Sequence, residues 1–402
     1  MNGLKVIYLA TADARGHLMR AQLITHALRA NGATVDVLTT SEQGRRFLAE
    51  FDIEATMLSP HYAVQFDTRQ NMLRKATDAN VAAYLFHPGR MLRDVWRLRA
   101  IMREATLVIN DSFHPALLFM GCMPRWRHKV VHVYGTSLRH ALETNFKHRV
   151  PGWLATLFGR VVALQIDRSR ARLEHDFAFG RAVHGEGNSY RLPTPVAIAH
   201  PPPKRRSTDA ATENIKASAR APRAAVYLNP HFQDIDLARA LENGLSGAGV
   251  SAHLVGEGYA ERSGWLAQDA NWIDHAVRSD LIISAPGMAA LSVACVYRRP
   301  ILLVVTEQPE QQMNAARAKE LGVLHRTVVW RGDARAFANA VHTASRELLA
   351  ASARDGADST PSNNAAPQSG IATARGESGH AAAMARLQSW VSVLSALAQR
   401  PR

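Results

Sequence analysis

Cysteine is almost absent: Cys122 and Cys295 are the only two in 402 residues, far apart and without CxxC spacing. Two isolated thiols can neither frame a disulfide scaffold nor form a zinc-finger quartet, and they fit a reducing compartment. No uninterrupted apolar run reaches the ~18 residues a spanning helix needs. The opening run, MNGLKVIYLATADARGH, is too short for a secretory core and reads as a first buried strand. These absences predict a cytoplasmic protein, or one peripheral on the inner membrane face. The GxGxxG dinucleotide fingerprint is also missing, which disfavours nicotinamide binding. Acidic residues are scarce relative to basic ones, 34 against 48, for a net charge of +14. The imbalance sits mainly in residues 1–203, which hold 26 basic and 16 acidic side chains. Such a surface favours anionic partners, whether phosphorylated sugars or lipid headgroups, and it is equally what solvated arginine faces would give. No basic motif interleaved with aromatics accompanies the charge, so nucleic acid is not an expected partner.

What is present is a repeated plan. A strand over Lys5 to Ala10 precedes a helix from about Leu18 to Ala30, where Ala21, Ile24, Ala27 and Leu28 recur at helical spacing. Asn31-Gly32 closes it as a C-terminal glycine cap does, and a strand follows over Ala33 to Thr40. Past residue 220 the order recurs: a strand over Ala224 to Leu228, a helix carrying Leu237, Leu241 and Leu245, a break at Gly247 and Gly249, and a strand over Val250 to Val255. Strand, helix, glycine and strand make a βαβ unit, whose right-handed crossover dictates a parallel sheet. The predicted fold class is therefore α/β, with two Rossmann-like domains facing across a cleft. Further strands are expected over Leu107 to Asn110, Val130 to Val133, Leu281 to Ser284 and Pro300 to Val305. The expected organisation is an N-terminal domain over 1–203, a linker over 204–222 and a C-terminal domain over 223–352. A disordered low-complexity stretch over 353–380 and a closing helix over 381–402 complete it.

In an open α/β sheet, ligands sit beyond the carboxyl ends of the strands, and four polar groups of residues fall there. Gly16 and His17 follow the first strand. A glycine there lets backbone N–H groups approach an anion or a sugar oxygen, and an imidazole suits a general base. Asp13 either orients His17 or stands in for it. The plainer alternative makes Gly16 a turn residue and His17 the start of a helix. Asp111 and Ser112 follow the third strand, where Asp111 is either functional or an Asx-turn cap. Pro286-Gly287 leads from a strand into a helix, and Glu310, Gln311 and Asn314 open the next one. His128 and His132 lie on one strand, roughly 13 Å apart at ~3.3 Å per residue, too far to share a metal; no protein-bound metal site is expected. Trp153, Leu154, Leu157, Phe158, Val161 and Val162 form an apolar stripe flanked by Lys147, His148, Arg149, Arg160, Arg168, Arg170 and Arg172. That pattern suits an amphipathic helix on an anionic membrane surface, but packing against a sheet is the commoner use and is the expectation.

Gly16-His17 with Arg20, together with Gly287 and the Pro309-Glu310-Gln311…Asn314-Ala315 run, resembles the motifs of GT-B glycosyltransferases, MurG-like enzymes in particular. Those transfer a sugar from a UDP carrier to a lipid-linked acceptor. The resemblance implies a nucleotide-sugar donor, UDP-linked as in that family, held by the C-terminal domain, and a lipid-linked or small-molecule acceptor held by the N-terminal domain. It implies that Gly287 and Met288 receive the pyrophosphate, that Glu310 and Gln311 bind donor-sugar hydroxyls, and that Asn314 supports their loop. His17 would be the base, Gly16 would allow close approach, and Arg20 matches the motif's arginine. Displacement would be direct and inverting, with no cofactor beyond the co-substrate and no metal. One departure stands out: the family's ribose-binding glutamate, seven residues before Pro300, is Val293 here. Two alternatives share the pattern. One is a nucleotide-sugar hydrolase like that of pseudaminic acid biosynthesis, echoed by Ala12-Asp13-Ala14 and Gly16-His17-Leu18-Met19-Arg20. The other is a GT-B protein that binds without catalysis.

Overall fold

The computed structural model describes residues 3–10, 15–58, 88–111, 114–136, 152–200, 220–230, 232–306, 309–357 and 379–400. The expected linker at 204–219, most of the low-complexity stretch (358–378), Asp13 and Ser112 lie outside them.

The first half is a sheet in the order β3-β2-β1-β4-β5-β6-β8-β7. Its strands are β1 (Lys5–Ala10), β2 (Thr34–Thr39), β3 (Ala55–Met57), β4 (Leu107–Asp111), β5 (Val130–Gly135), β6 (Ala171–Asp176), β7 (Val183–His184) and β8 (Ser189–Pro193). All pairs are parallel except β7 with β8. The reason is visible in β1: Val6, Ile7, Tyr8, Leu9 and Ala10 are all fully buried. Val6, Tyr8 and Ala10 face one apolar cluster, and Ile7 and Leu9 the other. A strand apolar on both sides needs helices on both sides. They are α1 (Arg15–Ala30), α2 (Glu42–Ala49), α3 (Pro88–Ile101), α4 (Pro115–Cys122) and α5 (Gly152–Asp167).

The second half repeats the plan with β9 (Arg223–Leu228), β10 (Ser251–Gly256), β11 (Trp265–Leu266), β12 (Leu281–Ser284), β13 (Ile301–Val305) and β14 (His325–Val329), in the all-parallel order β11-β10-β9-β12-β13-β14. Its helices are α6 (Ile235–Gly247), α7 (Trp272–Arg278), α8 (Met288–Tyr297), α9 (Pro309–Glu320) and α10 (Ala334–Ala357). Leu281 and Ile283 enter one cluster and Ile282 the other, so this sheet is also covered on both faces. Both strand orders reverse beside the first strand of their half, and the crevice at that reversal opens at the carboxyl edge.

The two carboxyl edges face each other. Arg15, at the start of α1, pairs with Glu257 just beyond β10. Arg317 of α9 reaches across to Asp176 at 2.5 Å and to the Thr136 hydroxyl at 2.8 Å, both at ends of first-half strands. A last helix, α11 (Gly379–Gln399), returns to the first half. Its Trp390, Leu394 and Leu397 are fully buried in the same cluster as α1, and the Trp390 indole N–H donates to Pro193 O at 2.8 Å.

Several boundaries differ from the sequence reading. Helix α1 begins at Arg15, so Gly16 and His17 are in its first turn rather than before it. First-turn N–H groups have no intrahelical acceptor in any case, which makes glycine cheap there. Helix α10 continues through 353–357, residues expected to be disordered; alanine-rich sequence sustains the helix past the last core contact. The strands β3, β6, β7, β8, β11 and β14 were not expected, because short segments without clear alternation carry little periodic signal. In α5 only Val161 and Val162 of the apolar stripe have described side chains, the first exposed and the second half-buried.

Candidate active site

The first wall is built on a fully buried carboxylate. Asp111 ends β4 beside Ala10, the last residue of β1. Its Oδ2 accepts from the Tyr8 hydroxyl at 2.7 Å and from Arg20 Nε at 2.8 Å, while Oδ1 accepts from the far end of the same guanidinium. Oδ1 also lies 2.8 Å from His17 Nδ1. Burial alone would raise the Asp111 pKa, but the Arg20 guanidinium and then His17 outweigh it and hold the group well below the usual carboxylate range. Arg20 continues inward to His175 Nε2 at 2.6 Å, and His175 Nδ1 meets the Thr194 hydroxyl at 2.9 Å. Burial, reinforced by Arg20, keeps the His175 pKa well below its ordinary value. The ring is therefore neutral, and its Nε2 accepts from Arg20.

This network fixes the imidazole of His17, whose side chain is 22% exposed, against an anion that is itself locked at both oxygens. Arg20 Nη2 lies 2.5 Å from the same Nδ1; in the tautomer whose Nδ1–H donates to Asp111, the proton-accepting nitrogen is Nε2. Asp111 is thus a partner of His17. Arg20 holds Asp111 through a bidentate pair and is buried, so it is not placed on an acceptor. Sequence reasoning missed Tyr8, His175 and Thr194. Each lies on or beside a strand, and nothing in the local pattern marks a polar atom whose partner comes from another strand or helix.

The second wall is the carboxyl edge of β12 and β13. Gly287 caps α8 with extended backbone (φ −88°) and no side-chain hydrogen bond, so the first-turn N–H groups of α8 have no side-chain cap. A Cβ built on Gly287 meets nothing within 4 Å, and the same is true of Gly16. Both glycines border open space. Met288 is the first residue of α8 and partly buried. Gln311 is buried and its Oε1 accepts from the Thr306 N–H at 2.8 Å and the Thr306 hydroxyl at 3.1 Å. Asn314 donates from Nδ2 to Pro286 O at 2.9 Å. These two amides tie the starts of α8 and α9 to the ends of their strands. The Glu310 side chain lies outside the described residues. Val293 is buried in the α8 core, so its position faces packing and not a ribose.

Beyond this edge the fold gathers a cluster that linear spacing hides. His253 Nε2 lies 2.7 Å from Asp269 Oδ2, and His275 Nε2 lies 3.7 Å from the same oxygen. The two histidines come from separate elements, so their sequence spacing does not mark them as a pair.

Neither protein-family models nor the sequences of curated proteins give any match. Solved structures do. The calicheamicin glycosyltransferase CalG4 superposes with a TM-score of 0.60 at 14% identity, covering 99% of each chain. UGT2 of Phytolacca americana, solved with UDP-2-fluoro-glucose and pterostilbene, gives 0.56 at 12% identity over 97% of this chain and all of its own. The spinosyn rhamnosyltransferase SpnG, solved with thymidine diphosphate, gives 0.52 at 13% identity over 98% and 100%. At such identities the likeness speaks for architecture, and over its whole length this chain has the GT-B fold of those glycosyltransferases.

Proposed function

We propose that the protein is a glycosyltransferase that moves a sugar from a nucleotide-sugar donor to a hydroxyl group of an acceptor. The observation that carries this reading is the His17 Nδ1–Asp111 contact of 2.8 Å, on a wall whose Arg15 pairs with Glu257 of the C-terminal half. In the reaction, His17 Nε2 takes the acceptor's hydroxyl proton, and the freed oxygen forms a bond to the anomeric carbon. The bond from that carbon to the diphosphate breaks, and its electron pair leaves with the nucleoside diphosphate. Direct displacement inverts the anomeric centre. The α8 N–H groups and helix dipole receive the developing negative charge, which gives a metal-independent route. Asp111 stabilises the imidazolium formed on His17.

Support for a nucleotide donor comes from the open, uncapped Gly287 turn. Of the neighbours, SpnG was solved with thymidine diphosphate and UGT2 with a UDP-sugar. A uridine donor is therefore one of two bases to test. Spinosyn aglycone and pterostilbene, bound by those neighbours, favour a small-molecule acceptor. A lipid-linked acceptor finds support in an apolar, basic surface of the first half. Leu92 and Trp96, one turn apart on α3, are 55% and 73% exposed, among Arg90, Arg93, Arg97 and Arg99. The neighbouring helices α4 and α5, with Met123 just past the end of α4, expose Phe119, Met123, Val161 and Leu164. Among the described residues no helix is long and apolar enough to cross a membrane, so contact would be peripheral. Sedimentation with phosphatidylglycerol vesicles, weakened by Trp96→Ser and absent with phosphatidylcholine, is the expected result; equal recovery with both lipids argues for a soluble acceptor.

A panel of UDP- and TDP-sugars read by thermal shift tests the main reading. A matched donor raises the melting temperature, and nucleoside diphosphate is released only when acceptor is added. Release of free sugar without acceptor would instead assign a hydrolase in which His17 activates water. A flat panel would leave a protein that does not use nucleotide sugars.

A further inference from the structure

His253 lies in the middle of β10, Asp269 in the turn after β11, and His275 on α7. Three elements therefore deliver one side chain each to a single point on the flank of the C-terminal sheet. The donor atoms are two imidazole nitrogens and one carboxylate oxygen, all within 4.8 Å of one another. A tetrahedral ion with bonds of about 2.0–2.2 Å holds neighbouring donors roughly 3.3–3.6 Å apart. The observed separations from Asp269 Oδ2, 2.7 and 3.7 Å, bracket that spacing. Oδ1 of the same carboxylate is occupied: it accepts the Asn271 N–H at 2.8 Å. The Asp269 carbonyl accepts the Trp272 N–H at 3.1 Å. The backbone thus fixes the carboxylate and turns Oδ2 towards the imidazoles, the kind of outer support that ligating carboxylates have.

Hydrogen bonding explains one of these imidazoles but not both. His253 satisfies Asp269 at 2.7 Å. His275 nevertheless stacks on it, with ring centres 3.8 Å apart and planes 11° from parallel, bringing a second nitrogen edge to the same oxygen. We propose that this is a binding site for a divalent transition metal ion, zinc or a neighbour such as cobalt or nickel. Two imidazoles with one carboxylate suit these ions and not magnesium or calcium, which take oxygen ligands. The side chains of His253, Asp269 and His275 are 26%, 13% and 49% exposed, so the site is sheltered on one side and reached by solvent on the other. Water completes the coordination. Binding requires the stack to splay, and His275, on the outside of α7, is the ring placed to turn.

The ion would link β10, the turn after β11 and α7. Trp272 of α7 packs on Tyr227 at 5.6 Å and donates to Val226 O at 3.1 Å, near the carboxyl end of β9. Metal binding therefore stiffens the part of the C-terminal half that adjoins the cleft. None of the three ligands belongs to the His17–Asp111 wall, so the inference stands apart from the transferase reading.

The test uses the untagged full chain freed of metal with a chelator, titrated with zinc chloride by calorimetry, and with cobalt(II) followed by visible absorption. One zinc ion per chain should bind with micromolar or tighter affinity and raise the melting temperature by several degrees. Cobalt should give the absorption of a four- or five-coordinate ion. His275→Ala, at a surface position that folding does not depend on, should weaken zinc binding at least 10-fold, and Asp269→Asn likewise. His26→Ala, at a distant surface histidine, should change nothing. Absence of zinc binding up to about 1 mM, or equal binding by wild type and His275→Ala, would overturn the assignment.

Discussion

At the residue scale, His17 and Asp111 are in contact yet have different consequences when replaced. His17 sits at the cleft surface, so His17→Ala should lower kcat by about 10²–10⁴-fold, the usual worth of a general base. Its melting temperature should stay near wild type. A variant that keeps wild-type turnover would remove His17 from the chemistry. Among the described residues Asp111 is the sole carboxylate on the buried Arg20, and Asp111→Asn leaves that guanidinium uncompensated. Breaking a buried pair in this way costs about 3–5 kcal/mol, to be read from urea unfolding. A loss below 1 kcal/mol would mean that Arg20 finds another partner. The roles were only half legible in the sequence. Gly16, His17 and Arg20 could be singled out from a short motif, whereas Tyr8, His175 and Thr194 could not. Their partners are non-local, and a lone histidine in a strand looks the same whether it packs or bonds.

At the element scale, the closing helix is the least local part of the design. Its apolar positions are periodic, which foretells a helix but not its destination. The structure sends α11 past α8 to α1 and β8, so the chain's last helix completes the core of its first half. Trp390→Ala removes a fully buried ring and its hydrogen bond to Pro193 O. A loss of about 3–5 kcal/mol is expected. Hydrogen exchange should show it in β1, α1 and β8 and leave β9 and β12 unchanged. Uniform loss of protection in both sheets would mean that the helix serves the whole molecule equally. Strands β1 and β12 were legible to the residue because unbroken apolar runs between loop signals mark doubly covered strands. The two-residue strands β7 and β11 exist only through their neighbours.

At the scale of the whole molecule, the two halves meet through charge. Arg317 joins α9 to Asp176 and Thr136, and Arg317→Ala should loosen that closure. Scanning calorimetry is expected to split one transition into two; a single unchanged peak would mean that other contacts suffice. Stability should also follow three buried histidines. Burial lowers His132 to about 3 and His114 to about 4, and drives His175 well below its ordinary value. Between those values and ~6.5, the unfolded chain binds protons that the folded chain refuses. Their contribution is complete above pH ~6.5 and falls as pH drops, with a slope of at most about 1.4 kcal/mol per pH unit for each histidine. Urea midpoints from pH 7 to 5 should decline, and His132→Asn should flatten the curve. A midpoint that rises on acidification would contradict the sign.

The amino-acid sequence alone determined the α/β class, the duplicated strand–helix–strand plan and the glycine-marked turns at the strand ends. Each of these is written in periodicity and backbone preference over a few neighbouring residues. Tertiary structure alone decided that Asp111 is a buried ion held by Tyr8 and Arg20, that α11 packs in the first half, and that His253, Asp269 and His275 converge. Those outcomes depend on which distant segments the two parallel sheets bring together, and no local pattern encodes that distance.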